Sequence, residues 1–407
     1  MSAPISHSEG IVNLASNYVF PNDFHVHWSL MIVLYPYITG IVAGAFIVSS
    51  LYHVFGIKAL RPISRYSLIF ALAFLACATW PLLLHLGHPE RSYSMFLTPN
   101  PSSAMAGFGF IYTAYLILLV HEILFIYRPT MVGLWLASSG LKKRLYAFLA
   151  FFNDNLSKEA LALDNRIIGF LAGLGIPMAC VLHGYVGFIF GGVKANPLWA
   201  TPLMPVIFLL SACVSGIAGI VFTYVLIMKF KGKPVDMDCI RTSLKFLWGF
   251  FILDFVFEML EVFSHAYMAT HHWHVLENLY WGPLYTTFWV LQVRIFSVIP
   301  FILLGILCLF KLKDRIVLFF APIVSLMILI QVLLMRWNVV IGGQLMSNST
   351  RGQVSFVPHW EGREGIIAAI IVMTAPWVIL FILSKIFPLW LEDQPSEQKV
   401  SEASAST

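Results

Sequence analysis

The sequence predicts an all-α polytopic membrane protein: two parallel four-helix transmembrane bundles with at least one additional C-terminal helix. Three observations carry this. Of 407 residues, 59% are hydrophobic and only 11% charged, whereas soluble domains carry about 25% charged residues. Nine apolar runs are long enough to cross ~30 Å of hydrocarbon. Small and polar residues within these runs recur at matching places in two halves of the chain.

The runs fall at residues 29–55, 62–86, 104–127, 166–189, 203–230, 241–266, 283–309, 316–341 and 366–390. The stretch 129–152 is broken by Ser138, Ser139, Gly140 and then by Lys142, Lys143 and Arg144. That pattern predicts an interfacial segment, or a tenth span if it crosses. Residues 1–28 lack a basic stretch followed by an apolar one, so no cleavable leader is expected and insertion rests on the first span. They are read as an external N-terminal segment, and 391–407 as a disordered cytoplasmic tail. Cys77, Cys180, Cys213, Cys239 and Cys308 are scattered with no CxxC. They read as buried fillers, leaving the chain no iron–sulfur cluster or thiolate zinc site of its own.

Orientation follows from the basic residues. One set of connections holds Lys58, Arg61 and Arg65, then Arg128, Lys142, Lys143, Arg144, Lys158 and Arg166. The same side takes Lys229, Lys231, Lys233 and Arg241, then Lys311, Lys313 and Arg315, and finally Lys385 and Lys399. The opposite side and its borders have only Arg91, Lys194, Arg336, Arg351 and Arg363, while Lys245 and Arg294 lie within spans. The positive-inside rule then puts the N-terminus outside and the C-terminus in the cytoplasm. The outer loops at 88–107, 191–202, 271–283 and 342–365 are long and aromatic. Trp199, Trp273, Trp281 and Trp360 are expected at the interfacial belt, on a surface suited to a partner protein.

A weak internal repeat divides the chain. "TGIVAG" (39–44) resembles "SGIAG" (215–219), and Arg65 and His85 are matched at the same offset by Lys245 and His265. This gives a first bundle at 29–189 with a cytoplasmic loop at 128–165, a second at 190–341, an external loop at 342–365 and a terminal helix at 366–390. Gly40, Gly44, Gly216 and Gly219 are expected to let helices approach closely.

The span "FILDFVFEMLEVFSH" (251–265) is unusual, because Asp254, Glu258, Glu261 and His265 fall within an arc of roughly 60° on a helix. An unpaired charge at this depth costs at least ~2.5–3.5 kcal/mol. Arg294, at comparable depth in the next span, is the expected partner of Asp254 or Glu258. One arginine cannot neutralise three carboxylates, so the stripe reads as a proton relay. His27, His85, His183 and His265 cluster toward the outside, and His53, His121 and Glu122 toward the cytoplasm. Outer imidazoles among aromatic rings suit quinone oxygens, and equally the two axial positions of a haem b anchor. A parallel-repeat ion or solute transporter, with Asp254, Glu258 and Arg294 lining its path, is the further alternative. No Walker loop, GxGxxG fingerprint or HExxH motif stands in a convincing context, and nothing suggests nucleic acid.

Four motifs carry a family resemblance: "YPYITGIVAGAF" (35–46), "HLGHPERSYSMF" (85–96), "GYVGFIFGGVKANPLW" with "PVIFLLSACVSGIAG" (184–219), and "RWNVVIGGQ" (336–344). Together they resemble the NrfD/PsrC family of polysulfide reductase-type membrane subunits. The last motif and the extra span look most like the longer members, found in alternative complex III, hydrogenase membrane subunits and the quinone reductase complex of sulfate reducers. The resemblance implies a site near the outer face for menaquinone or ubiquinone, with no redox cofactor in this chain. It also implies a docked ferredoxin-like iron–sulfur subunit, with a molybdopterin-family or multihaem cytochrome c subunit beyond it. By position, His27, Trp28, Tyr35, His85, Tyr112 and His183 are the quinone-site candidates. The family's shorter members carry an acidic residue near "LGHPER", where this chain has His85, His88 and Glu90. A proton route is then expected from His121 and Glu122 to Asp254, Glu258, Glu261 and His265.

Overall fold

A computed structural model of the chain describes residues 26–269, 271–347 and 352–390. Most of the expected N-terminal segment, the tail at 391–407, Arg351 and Lys399 lie outside the described residues. The order begins with α1 (Leu30–His53), then α2 (Arg61–Ala78), which passes through Thr79 into the short α3 (Trp80–His85). There follow α4 (Ala104–Ala137), α5 (Gly140–Leu149), α6 (Lys158–Gly191) and α7 (Met204–Phe230). Next come α8 (Met237–Met268) and α9 (His271–Trp281). A 14-residue π-helix, Tyr285–Val298, runs on into α10 (Ile299–Leu309). Finally α11 (Asp314–Val340) and α12 (Ile366–Ile386) complete the described chain.

Helix starts are set by side-chain caps. Ser29, Ser103, Ser157 and Asp236 accept hydrogen bonds from the backbone N–H groups of Met31, Ala106, Ala160 and Cys239, satisfying donors that have no partner within the helix. Among the described residues, eight helices are long and apolar enough to span a membrane: α1, α2 with α3, α4, α6, α7, the π-helix with α10, α11 and α12. The remaining span expected from sequence is α8. Its 32 residues reach about 48 Å at ~1.5 Å per residue, but its charged residues keep it out of the apolar set. In the stretch 129–152, α4 runs through Pro129 to Ala137, longer than expected, and the amphipathic α5 follows.

The centre is α1, almost wholly buried and packed against α2, α6, α7 and α11. Its closest approach is to α7, where Gly44 meets Gly216: a Cβ on Gly216 would collide with the Gly44 backbone. The two repeated small-residue motifs therefore pack against each other. Gly216→Val should overpack this crossing and destabilise the fold by about 1–3 kcal/mol or more. Gly219→Ala, whose Cβ would meet Phe70 at an ordinary 3.4 Å, should be tolerated. Thermal unfolding of the two variants in detergent checks the contrast.

The ends are tied differently. At one, Trp28 stacks on Trp199 with centroids 4.8 Å apart, and Gln344 exchanges hydrogen bonds with the Trp28 backbone at 2.8 and 3.1 Å. Trp199 Nε1 donates to Val339 O at 2.6 Å, and Asn196 Nδ2 to Gly343 O at 2.8 Å. Trp199 is thus turned inward and pins the loops, whereas Trp281 and Trp360 are exposed. We call this the aromatic end. At the basic end, Arg128 pairs with Asp164 at 2.6 Å, both buried, and Arg241 with Asp314 at 2.8 Å. Trp377 of α12 meets the edges of Phe70 and Phe74 on α2 at 5.9 and 5.3 Å.

Candidate functional site: a buried polar junction

The acidic stripe faces inward. Asp254 is fully buried, and neither carboxylate oxygen has a hydrogen-bond partner among the described residues. One turn on, Glu258 accepts from Gln292 Nε2 at 3.2 Å and from Gln331 Nε2 at 3.1 and 3.2 Å. Gln292 in turn accepts from Asn338 Nδ2 at 2.7 Å. Glu261 accepts from Thr201 Oγ1 at 2.9 Å and lies 2.8 Å from His265 Nε2. Glu258, Glu261, Gln292 and Asn338 line a cavity of about 60 Å³ together with Tyr280 and Phe288, which has room for a few waters.

Arg294 does not complete this stripe. It is exposed, and the hydrogen bonds to Glu258 come from glutamine amides instead. The reason is azimuth. Gln292 points at Glu258, and even in the wider turn of this π-helix two residues along stand on roughly opposite sides, so Arg294 faces away. The buried cation beside the stripe is Arg336 on α11, read from sequence as a residue of the outer border. It is completely buried, and its charge acts on both Asp254 and Glu258. Its Nη2 donates to Ser211 Oγ at 2.6 Å and lies 3.4 Å from Phe208 O. The guanidinium also stacks on the Phe208 ring at 3.7 Å.

Arg336 Nη2 also reaches His183 Nε2 at 3.1 Å. A guanidinium can only donate, so Nε2 is the acceptor and the imidazole proton sits on Nδ1. That Nδ1, Arg336 Nε and the hydroxyl of the fully buried Tyr35 have no hydrogen-bond partner among the described residues. Counted from the helix ends at ~1.5 Å per residue, Tyr35, Tyr112, His183 and Arg336 lie about 6–12 Å inside the aromatic end. Tyr112 donates to Leu75 O on α2. His85, at the end of α3, has Nδ1 3.0 Å from Glu364 Oε1. Trp28 is half-buried in the loop pin, and His27 is exposed.

The structure separates two adjacent candidates. Glu122 is fully buried, with both oxygens unpartnered among the described residues. His121 points outward and binds its own helix at Ile117 O, 2.7 Å away. The sequence reading missed Arg336, Gln292, Gln331, Asn338 and Glu364. On α11 the signal was present: Gln331 and Asn338, seven residues apart, share a face, with Arg336 roughly 140° from Gln331. One helix therefore serves the acidic stripe with one face and His183 with another.

These features define a multi-pass helical membrane protein whose buried polar groups converge below its aromatic end. Residues 21–348 match the family described as polysulphide reductase, NrfD, and the chain belongs to that family. It is 28% identical over 365 residues to a selenate reductase subunit of Mesobacillus selenatarsenatis, covering 85% of this chain and 83% of that protein. It is 25% identical over 288 residues to a putative dimethyl sulfoxide reductase membrane subunit of Halobacterium salinarum, with 68% of this chain and 61% of that one covered. The Hdr-like menaquinol oxidoreductase integral membrane subunit of Archaeoglobus fulgidus is 23% identical over 264 residues, 65% of this chain and 58% of that one.

Proposed function

We propose that this chain is the quinol-oxidising membrane subunit of a respiratory reductase complex. Menaquinol binds at the aromatic end of the first half. Its two electrons pass to an iron–sulfur subunit docked over that end, and from there to a molybdopterin-family catalytic subunit. The name of the Archaeoglobus fulgidus relative supports the quinone class, and all three names support a multi-subunit assembly. With α8 as a ninth span, the positive-inside rule places the aromatic end outside the cytoplasmic membrane. The segment beyond residue 348 suits the longer type of family member.

The observation that carries the reading is the set of buried polar atoms without partners: Tyr35 Oη, His183 Nδ1 and Arg336 Nε. Groups of this kind need water or a ligand's oxygens to satisfy them, and a quinol presents two hydroxyls. His27, Trp28, His85 and Tyr112 surround the same end. Arg336 connects this layer to Asp254 and Glu258. The stripe through Glu261 and His265 then carries the protons that quinone chemistry releases or takes up, and Glu122 serves the basic end of the route.

Tyr35→Phe is the sharpest test, because the hydroxyl has no partner among the described residues and its loss should not weaken the fold. In the purified complex, menaquinol turnover should fall about tenfold or more, with unfolding temperature unchanged. A wild-type complex that does not oxidise menaquinol would overturn the reading. So would a haem b band in the reduced-minus-oxidised spectrum of the isolated chain.

A further inference from the structure

Glu364 lies beyond residue 348, where the family match ends, yet it reaches back to a candidate quinone residue. His85 closes α3, and its Nδ1 stands 3.0 Å from Glu364 Oε1 with both side chains partly exposed. Glu364 is held by a compact turn. Ile366 N donates to His359 O at 2.9 Å, Ile367 N to Trp360 O at 3.3 Å, and Gly365 N to Gly362 O at 3.3 Å. Gly365 is required there, since a Cβ would lie 2.5 Å from Glu361 O. Directly inward of the pair, Trp80, Leu83 and Leu84 of α3 face Ala368, Ile371 and Val372 of α12 across an apolar groove of about 410 Å³. A polar pair thus stands at the outer end of both groove walls.

We infer that Glu364 is a positioning residue for His85, and that α3 and α12 seat the first isoprenoid units of a polyprenyl quinol. This rests on the quinone reading above. The carboxylate takes the Nδ1 proton of His85 in a hydrogen bond, which fixes the tautomer and leaves Nε2 as an acceptor for a quinol hydroxyl. The groove matches the other part of such a molecule, because an apolar chain gains by leaving contact with the headgroup region. A polar head recognised at the mouth and an apolar tail laid along the walls describe one amphipathic ligand. The C-terminal segment therefore completes the site.

The test uses the intact complex and two substrates, a polyprenyl menaquinol and its tail-free naphthoquinol. Glu364→Ala should lower kcat/KM about tenfold or more for both. Glu364→Asp should recover most of it, and Glu361→Gln, an exposed neighbour, should change nothing. Ala368→Phe should raise KM about tenfold for the polyprenyl substrate alone. Ile371→Phe, at a position already exposed, gives the same comparison if Ala368→Phe does not assemble. Wild-type rates for Glu364→Ala would overturn the positioning role. Equal effects of the groove variants on both substrates, or none, would overturn the tail seat and indicate an ordinary lipid contact. Failure of the quinone reading itself is separate, since then the wild-type complex oxidises neither substrate.

Discussion

Arg336→Ala is expected to cut quinol turnover about a hundredfold or more, and Arg336→Lys to restore little of it. The guanidinium performs three tasks at once. It donates to Ser211 and His183, lies over the Phe208 ring, and carries a buried positive charge on the helix that also supplies Gln331 to Glu258. Lysine carries the charge but neither the planar fork nor the stacking face. A pre-organised charge in a water-poor site is worth about 2.7–4 kcal/mol to catalysis when removed, by comparison with single oxyanion-hole donors. Stability falls as well, because removing one partner from a buried charged network costs about 3–5 kcal/mol. Ser211→Ala separates the two effects. It removes one acceptor and should cost about 1–3 kcal/mol, while leaving the charge in place and most of the turnover intact. The measurements are menaquinol turnover of the complex and its unfolding temperature. Arg336→Lys at wild-type turnover would exclude the role assigned to the fork.

The helices were legible because lipid imposes a simple rule. A backbone in hydrocarbon must satisfy its own hydrogen bonds, so apolar runs of about 20 residues become helices. The expected run at 203–230 became Met204–Phe230, and 104–127 became Ala104–Ala137. The second of these helices runs further than expected because the break at Ser138, Ser139 and Gly140 and the basic residues after it set 129–152 apart in the sequence, whereas Pro129 removes only one donor and a long packed helix continues past it. Likewise, "TGIVAG" and "SGIAG" signalled close packing, but only the three-dimensional structure shows that they pack against each other.

The site was half legible, and the missing half is a matter of direction. Depth can be counted along a sequence, which is how both Arg294 and Asp254 came to be placed near mid-membrane. Azimuth on a neighbouring helix cannot be counted that way. Arg294 has the right depth and the wrong face, and its segment is a π-helix, a form that favours functional sites and departs from the usual spacing. Arg336 was set aside as a border residue because it stands near the end of its run. It is nevertheless fully buried, with Nη2 3.1 Å from His183 Nε2. Glu364 was invisible for another reason: it sits in a turn-rich loop, and nothing in local sequence ties it to His85.

Asp254→Asn should leave the fold intact and slow quinone turnover by about a hundredfold. The two halves of this expectation come from the same observation. Both Asp254 oxygens are buried without a hydrogen-bond partner among the described residues, so the isosteric amide breaks no hydrogen bond, and its two unpartnered N–H groups should cost no more than about 1–3 kcal/mol. An ion pair with Arg294 would have predicted the opposite, because breaking a buried pair destabilises strongly. Function responds differently, since a carboxylate can hold and release a proton and an amide cannot. Loss of a positioned acid–base group typically removes about 10²–10⁴ in rate. Glu258→Gln should slow turnover similarly but also loosen the site, because a third amide now faces the amides of Gln292 and Gln331. One of these must turn over to avoid opposing N–H groups. The decisive measurement is turnover together with proton release in vesicles containing the whole complex. A fall in both for Asp254→Asn, at unchanged assembly, fits the relay. Wild-type rates in that variant would leave the stripe without a role in proton movement.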